Sequence, residues 1–312
     1  MTRLRAWLLL APLGWAAMAA AWAQTPKAEA VAPGVYVVQG VAALGSAANR
    51  NFISNAAFIV TDEGVVVIDA LGSPPLAAEM LAEIRRITPQ PVRTVIVTHY
   101  HADHIYGLQT FKAAGAEVLA HARADDYLHS ETARLRLQYS REALSPAVDQ
   151  DTRLLPPDRR LTGPMTLTLG GLHFEIHHAG PAHTPEDLVI WLPERRVLFV
   201  GDLVFRGRIP FVGTADSGAW LKALDRLLAY DAQVIVSGHG AASTDPRSDL
   251  QLTRDYLLHL RQSMGPAAAE LEPFDEAYAR TDWSRFEQLP MFKAANRANA
   301  YNTYLLMGQT GR

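Results

Sequence analysis

The sequence of 312 residues contains no cysteine. The chain therefore forms no disulfide, carries no lipid on a cysteine and binds no metal through thiolate sulfur. Any metal ligand must be a histidine, an aspartate or a glutamate. The sequence also lacks a block of Lys and Arg interleaved with aromatic residues, and its formal net charge is only -3. We therefore expect no nucleic-acid partner.

Long hydrophobic runs are scarce, and the longest lies near the N-terminus, at residues 6–20. Arg3 and Arg5 precede this run, and Ala21-Trp22-Ala23 follows it with the small-x-small pattern of a cleavage site. The run is shorter than the roughly 20 residues that cross a bilayer. We expect residues 1–23 to be a signal peptide and the mature chain to be periplasmic or secreted, without a membrane anchor.

No Gly/Ser-rich linker divides the remaining chain, of which we expect residues 24–312 to form a single domain with C-terminal helices. Hydrophobic residues make up 49% of the sequence and charged residues 20%, which is typical of a globular enzyme. The pattern of apolar residues predicts strands at 35–40, 56–60 and 65–69, with a turn at 62–64, and we expect these three to form an antiparallel meander. It predicts further strands at 94–97, 165–169, 172–178, 188–192, 197–200 and 234–236. It predicts helices at 75–87, 122–144, 217–229, 247–264 and 294–307.

A cluster of ligand-type residues, His99-Tyr100-His101-Ala102-Asp103-His104, directly follows the buried strand predicted at 94–97. Left bare, these ionisable groups would cost several kcal/mol in desolvation and repulsion, whereas a divalent cation would bind all of them. The alternative is a polar loop that happens to be rich in histidine. Because three of the 11 histidines of the chain fall here, we favour a metal site, and the spacing suggests two ions.

Further ligands are expected beside small residues at other strand ends. The candidates are His183 in Gly-Pro-Ala-His-Thr-Pro, Asp202 in Val-Gly-Asp, and His239 in Ser-Gly-His-Gly. Small neighbours let the backbone approach a bound ion closely. The remaining histidines lie in no comparable motif, and we expect them to be ordinary surface or core residues.

In this order, the motifs resemble those of the metallo-β-lactamase superfamily, whose His-x-His-x-Asp-His signature matches His99 to His104. The resemblance covers about residues 35–240 and implies an α/β fold, the four-layer αβ/βα sandwich of two mixed sheets flanked by helices. It also implies a carboxylate at Asp69 that steadies the ligand loop. The ligand sets that it implies are His99, His101 and His183 for one zinc, Asp103, His104 and His239 for the other, and Asp202 as the bridge.

The same resemblance implies a hydrolase in which two zinc ions share a hydroxide. Metal binding lowers the pKa of water toward roughly 7, so no Ser or Cys nucleophile is needed. Asp103 would orient the hydroxide as well as bind metal. The expected small-molecule substrate is an ester, a thioester, a lactone or a β-lactam amide. Arg206 and Arg208 are candidates to bind its carboxylate, and Phe211 is a candidate apolar wall.

Three alternatives remain at this point. The pattern also resembles that of exported zinc metallohydrolases associated with quinoprotein-relay and sulfur-oxidation systems, whose substrates the resemblance does not settle. Asp202 stands where familiar β-lactamases have a cysteine, which favours at most a weak or accessory β-lactamase. A mononuclear iron persulfide dioxygenase shares the fold, so that iron and manganese stay open beside zinc. The two arginines could also be solvated loop residues.

Overall fold

The computed structural model describes residues 25–310, so the expected signal peptide at residues 1–23 lies outside the described residues. The described chain forms two β-sheets, one of seven strands and one of five, which pack face to face. Helices cover the outer face of each sheet. The four-layer αβ/βα sandwich is therefore confirmed.

The strands of the first sheet follow the chain in order. They are β1 (Ala28–Ala32), β2 (Val35–Val38), β3 (Ala56–Thr61), β4 (Gly64–Ile68), β5 (Val92–Ile96), β6 (Glu117–His121) and β7 (Arg159–Leu161). The second sheet has the order β12-β11-β10-β9-β8. Its strands are β8 (Met165–Leu169), β9 (Leu172–His178), β10 (Leu188–Leu192), β11 (Val197–Phe205) and β12 (Val234–His239).

The α-helices of the described chain lie between the strands and after the last of them. They are α1 (Pro74–Ile87), α2 (Ala102–Ile105), α3 (Leu108–Ala113), α4 (Ala124–Leu128), α5 (Glu131–Ala143), α6 (Ser217–Leu227), α7 (Pro246–Ala269), α8 (Phe274–Arg280) and α9 (Phe292–Thr310). None of the helices within residues 25–310 combines the length and apolar character that crossing a membrane requires.

Strand β4 shows why the sequence forms this layered core. Its residues Val65 and Val67 belong to the apolar cluster beneath α1, whereas Val66 and Ile68 belong to the cluster between the two sheets. A strand that is buried on both faces needs a continuous apolar run rather than an alternating one. Helix α1 buries Leu76, Met80 and Ile84, which recur at helical spacing, in the first of these clusters.

The direction of the strands brings the candidate ligands to one edge of the sandwich. Strands β2, β3 and β4 are antiparallel, as predicted, and β4, β5 and β6 are parallel. The carboxyl ends of β4 and β5 therefore lie side by side, and Asp69 and the segment His99–His104 closely follow them. In the second sheet β11 and β12 are also parallel, which brings Asp202 near His239.

Several elements differ from the prediction. Strands β1, β6 and β7 were not predicted, because they are short and two of them carry charged residues at exposed positions. The helix predicted at 122–144 is two helices, since the Ser130 side chain accepts a hydrogen bond from the Ala133 N–H and begins α5 there. Leu137 and Leu144 pack into the first core, so this segment is docked on the sandwich.

Candidate metal centre

Four of the predicted ligands form one cluster at the edge of the sandwich. The segment after β5 supplies His99 and His101, the loop after β9 supplies His183, and β11 supplies Asp202. His101 Nδ1 lies 3.2 Å from His99 Nε2 and 3.0 Å from His183 Nε2. Asp202 Oδ2 lies 3.4 Å from His183 Nε2 and 3.7 Å from His99 Nε2.

The other three predicted ligands form a second cluster beside the first. Asp103 and His104 lie at the start of α2, and His239 is the last residue of β12. Asp103 Oδ2 is 3.6 Å from His104 Nε2 and 3.4 Å from His239 Nε2. The structure thus brings all seven predicted ligands together, although 140 residues of sequence separate His99 from His239.

Asp202 contacts both clusters with its two carboxylate oxygens. Asp202 Oδ1 lies 3.3 Å from His104 Nε2, and Asp202 Oδ2 lies 3.3 Å from His239 Nε2. The side chain is buried, whereas Asp103 keeps 16% of its side chain exposed. Asp202 therefore occupies the position from which one carboxylate can contact two ions, and Asp103 lies nearer to solvent.

The donor set fits divalent metal. Four ligands that surround zinc tetrahedrally at about 2.0–2.1 Å lie about 3.3–3.4 Å from one another, close to the separations observed in both clusters. His104 Nε2 and Asp202 Oδ1 are buried and have no hydrogen-bond partner among the described residues. Because buried polar atoms are normally paired, these two atoms mark a space that a cation would satisfy.

Burial sets the charge state of the first cluster. It lowers the pKa of His99 and of His101, and it lowers the pKa of His183 to about 3. These rings are therefore neutral at physiological pH and offer lone pairs to a metal. Burial acts in the same direction on His104, but the carboxylates of Asp202, Asp103 and Asp69 outweigh it and raise the pKa of that ring.

Asp69 holds two ligands from behind. Its carboxylate accepts hydrogen bonds from the Thr98 N–H at 2.8 Å, from Thr98 Oγ1 at 2.8 Å and from His104 Nδ1 at 2.9 Å. Thr98 Oγ1 is in turn 3.1 Å from His99 Nδ1. These contacts turn Nε2 of both rings toward the clusters, as expected for a carboxylate that orients metal-binding histidines.

Small residues make room for Asp202, which lies inside β11 rather than at the end of the predicted strand. The register of β11 against β12 shifts on both sides of Gly201. Gly201 has φ +49°, and a Cβ added there would lie 2.7 Å from Thr98 Oγ1. A Cβ at Gly238 would overlap Asp202 Oδ1. Both positions thus require glycine, because β11 passes close to Thr98 and β12 passes close to Asp202.

The loop that carries His183 is held by a residue that the sequence analysis missed. Asp187 accepts hydrogen bonds from the Thr184 N–H at 2.8 Å and from Thr184 Oγ1 at 2.7 Å. The spacing Thr-x-x-Asp directly after His183 was the available signal, because aspartate commonly closes such turns onto nearby backbone. Asp187 is buried and fixes the turn from which His183 projects.

The three candidate substrate residues differ in their exposure and in the groups that they contact. Arg206 forms an ion pair with Asp249 at 3.2 Å and donates to the Ala242 carbonyl, so its guanidinium is already bound. Arg208 is 6% exposed, and its Nε has no hydrogen-bond partner. Phe211 is 52% exposed. Trp220 is fully buried and donates to the Leu203 carbonyl, so it belongs to the core.

Among residues 25–310, Arg208 forms no ion pair with a carboxylate. Its Nη1 lies 3.4 Å from His239 Nδ1, but that nitrogen lies 2.7 Å from the Ile53 carbonyl and donates to it. Burial lowers the pKa of Arg208, and the charges of Asp202 and Asp103 oppose this effect. The guanidinium is therefore buried close to the metal clusters, with hydrogen-bonding capacity left over.

Comparison with known proteins agrees with this geometry. The family model of the metallo-beta-lactamase superfamily matches residues 49–239. A linear primary-alkylsulfatase from Pseudomonas sp. is 26% identical over 240 residues, which cover 65% of this chain and 45% of the relative. A type 2 metallo-beta-lactamase from Elizabethkingia meningoseptica is 25% identical over 240 residues, which cover 75% of this chain and 87% of the relative.

Among solved structures, the stereoselective inverting sec-alkylsulfatase from Pseudomonas sp. has a TM-score of 0.66 at 20% identity, and the match covers 89% of this chain and 50% of that one. The chain thus spans about half the length of the alkylsulfatases that it matches. Members of the matched family bind metals, and the family match together with the sulfatase and β-lactamase relatives supports a metallo-hydrolase. The chain belongs to the metallo-β-lactamase superfamily.

Proposed function

We propose that this chain is a zinc-dependent hydrolase with two ions, one at His99, His101 and His183 and the other at Asp103, His104 and His239. Asp202, whose carboxylate contacts both clusters, would serve both ions. The observation that carries it is the position of the Asp202 carboxylate, whose oxygens lie 3.3 Å from His104 Nε2 and from His239 Nε2 and 3.4 Å from His183 Nε2. We further propose that the protein acts outside the cytoplasm, as its N-terminal sequence predicts.

The substrate is a small ester, thioester, lactone or β-lactam amide. When bound, the two ions would supply an acidified water and a Lewis acid for the carbonyl oxygen. Asp103, whose side chain is 16% exposed, would accept a hydrogen bond from the attacking water and so orient it toward the carbonyl carbon. Asp69 keeps the His104 ring in the tautomer that presents Nε2.

Arg208 binds an anionic group of the substrate. A buried guanidinium with an unpartnered Nε favours a carboxylate or another oxyanion, because charged hydrogen bonds are stronger than neutral ones. Its charge is balanced partly by Asp202 and Asp103, and binding of two divalent cations would remove that balance. An anionic substrate would restore it. Phe211, half exposed after the same loop, is the proposed apolar wall.

A hydrolysis screen tests the proposed function. Purified protein loaded with zinc is assayed against nitrocefin, simple lactones and thioesters, with primary alkyl sulfates added because of the alkylsulfatase relative. We expect turnover of at least one carbonyl substrate that chelator abolishes and zinc restores. Asp103→Ala should lower kcat by about 100-fold or more, the scale of a lost general base or positioning group.

Three outcomes would overturn all or part of the proposal, the first of them in a parallel assay of oxygen consumption with a persulfide. Consumption of oxygen with a persulfide by a protein that holds one iron would identify a dioxygenase instead. Turnover that is insensitive to chelator and to Asp103→Ala would place the chemistry outside these clusters. Zinc-dependent cleavage of sulfate esters alone would keep the two-ion hydrolase but overturn the carbonyl substrate.

A further inference from the structure

Three consecutive residues directly before β3 contact the two segments that supply ligands of the second cluster. We call Ile53, Ser54 and Asn55 the entry segment. It leads into the first sheet, yet it reaches the end of β12 in the second sheet, about 180 residues away in sequence. None of its residues is a metal ligand or was singled out by the sequence analysis.

Asn55 uses its side-chain amide to clamp the turn that carries His239. Its Nδ2 donates to the Ser237 carbonyl at 2.8 Å and to the Gly240 carbonyl at 2.6 Å, on either side of His239. The Asn55 backbone N–H donates to the Gly238 carbonyl at 2.7 Å. Asn55 Oδ1 accepts from the Gly40 N–H at 3.1 Å. A buried amide with every hydrogen-bonding group engaged fixes one geometry of this turn.

The other two residues act on the ligands more directly. The Ile53 carbonyl accepts a hydrogen bond from His239 Nδ1 at 2.7 Å, which leaves Nε2 free for metal. Ser54 Oγ donates to the Asp103 carbonyl at 2.5 Å. Two of the three ligands of the second cluster are therefore held by adjacent residues of the entry segment, His239 through its ring and Asp103 through its backbone.

The first cluster is held by different residues. Thr98 contacts His99, and Asp187 fixes the turn of His183 through Thr184. Among the described residues, no hydrogen bond joins the entry segment to His99, His101 or His183. Asp202 contacts both clusters, and Asp69 supports both through Thr98 and His104. Of the metal ligands, however, the entry segment is bonded only to those of the second cluster, so a change in it should weaken the second ion and spare the first.

We propose that Asn55 is the positioning residue of the second ion, the one bound by Asp103, His104 and His239, and that the entry segment sets the affinity of this ion independently of the first. The proposal rests on the two-ion site proposed above. It assigns to Asn55 an effect on metal occupancy, which a purely structural role in the fold would not produce.

The test is a titration of metal-free protein with Co²⁺, followed by calorimetry and by the visible absorption of the bound ion. We compare wild type with Asn55→Ala and Asn55→Asp, the latter keeping the shape of the side chain while replacing its donor by an acceptor. Both variants should weaken the second ion by about 10- to 100-fold, the scale seen when partners of metal ligands are removed. Affinity for the first ion should stay within about twofold of wild type.

A matched control is Asn296→Ala, which also removes a buried amide. Asn296 is bonded to the hydroxyls of Tyr256 and Tyr278, among the outer helices. This variant should bind two ions as wild type does, even if it is less stable. Ser54→Ala provides a milder test if the Asn55 variants fail to fold, and it should weaken only the second ion.

The outcomes separate the two proposals. Wild type that binds a single ion refutes the two-ion function itself. Wild type that binds two ions, with foldable Asn55 or Ser54 variants that bind both equally well or lose both in parallel, refutes only the role of the entry segment. Weaker binding of the second Co²⁺ with unchanged binding of the first supports the role of the entry segment.

Discussion

Single residues at the centre combine opposite electrostatic demands. The imidazoles of the first cluster are kept neutral by burial, whereas three carboxylates surround the His104 ring. Each carboxylate has its own task in the proposed mechanism: Asp202 contacts both clusters, Asp103 faces solvent, and Asp69 lies behind the ligands. The chemistry of the site therefore depends on individual contacts, which single substitutions can remove.

Replacing Asp69 tests the support of the ligands. Asp69→Ala removes the acceptor of His104 Nδ1 and of both Thr98 donors. We expect metal affinity to fall about 10- to 100-fold, because His104 loses the partner that orients its ring. Competition with a chromogenic chelator measures the change. Unaltered affinity in a folded Asp69→Ala protein would show that the ring is held by other contacts.

Replacing Arg208 tests recognition of an anionic substrate. Arg208→Ala should lower kcat/KM by about 10- to 100-fold for a substrate with a free carboxylate, since a charged hydrogen bond contributes about 1.5–3 kcal/mol. The methyl ester of the same substrate serves as the control and should lose little. Steady-state kinetics on this pair distinguish the roles. An equal loss for both would mean that Arg208 supports His239 rather than binding the anion.

At the scale of elements, the site lies where the ends of parallel strands meet and where neighbouring segments pass close to one another. The parallel ends of β4 and β5 present Asp69 and the His99–His104 segment, and the parallel pair β11 and β12 presents Asp202 and His239. Gly201 lets β11 pass close to Thr98, and Gly238 lets β12 pass close to Asp202, because neither glycine carries a Cβ. A histidine pair closes the same edge, because His121 at the end of β6 stacks on His178 at the end of β9 with ring centroids 3.8 Å apart.

This histidine stack should make stability depend on pH. Burial, the neighbouring His178 and Arg123 lower the pKa of His121 to about 4, while Asp126 opposes them. The unfolded chain, with the ordinary value near 6.5, binds the proton first, so stability falls as pH decreases from 6.5 toward 4. We expect the free energy of unfolding of metal-free protein to drop by about 1–2 kcal/mol more between pH 7 and pH 5 than in His121→Phe.

Urea unfolding at both pH values measures this difference, with His129→Phe at an exposed position as the control. Parallel pH dependence in wild type and His121→Phe would mean that the stack carries a proton without cost. Lower stability of His121→Phe at both pH values by the same amount would indicate lost packing only.

The sequence predicted a feature where the residues that determine it lie close together along the chain. The His99–His104 segment, Asp202 and His239 each lie in a short motif beside a strand, so that their residue types and neighbours indicated metal. The meander β2-β3-β4 followed from apolar runs and a turn. Strands β6 and β7 were not predicted, because each gains its stability from a neighbour rather than from its own pattern. The role of Asn55 was hidden for the same reason, since its partners lie in the other sheet.

The separation of Arg206 from Arg208 illustrates the same limit within one loop. Two residues apart, they are equivalent as sequence, and both were candidates for binding a carboxylate. Only the folded chain brings Asp249 of α7 against Arg206 and buries Arg208 beside His239. The position of a charge relative to distant elements, rather than its presence, decides whether it is available to a substrate.

At the scale of the whole molecule, the sandwich joins two halves around a shared centre. The first sheet supplies His99, His101, Asp103 and His104, and the second supplies His183, Asp202 and His239. Bound metal would thus link the sheets, and its free energy of binding would add to the stability of the folded state. The central claim is that both ions bind at these seven side chains and that Asp202 serves both.

The most direct measurement is the stoichiometry of zinc in titrations of metal-free wild type and of Asp202→Ala, by calorimetry with elemental analysis. We expect two ions per chain in wild type, with an affinity for both that falls by at least about 10-fold in the variant. A single ion per chain in wild type, or two ions whose binding Asp202→Ala leaves unchanged, would contradict it.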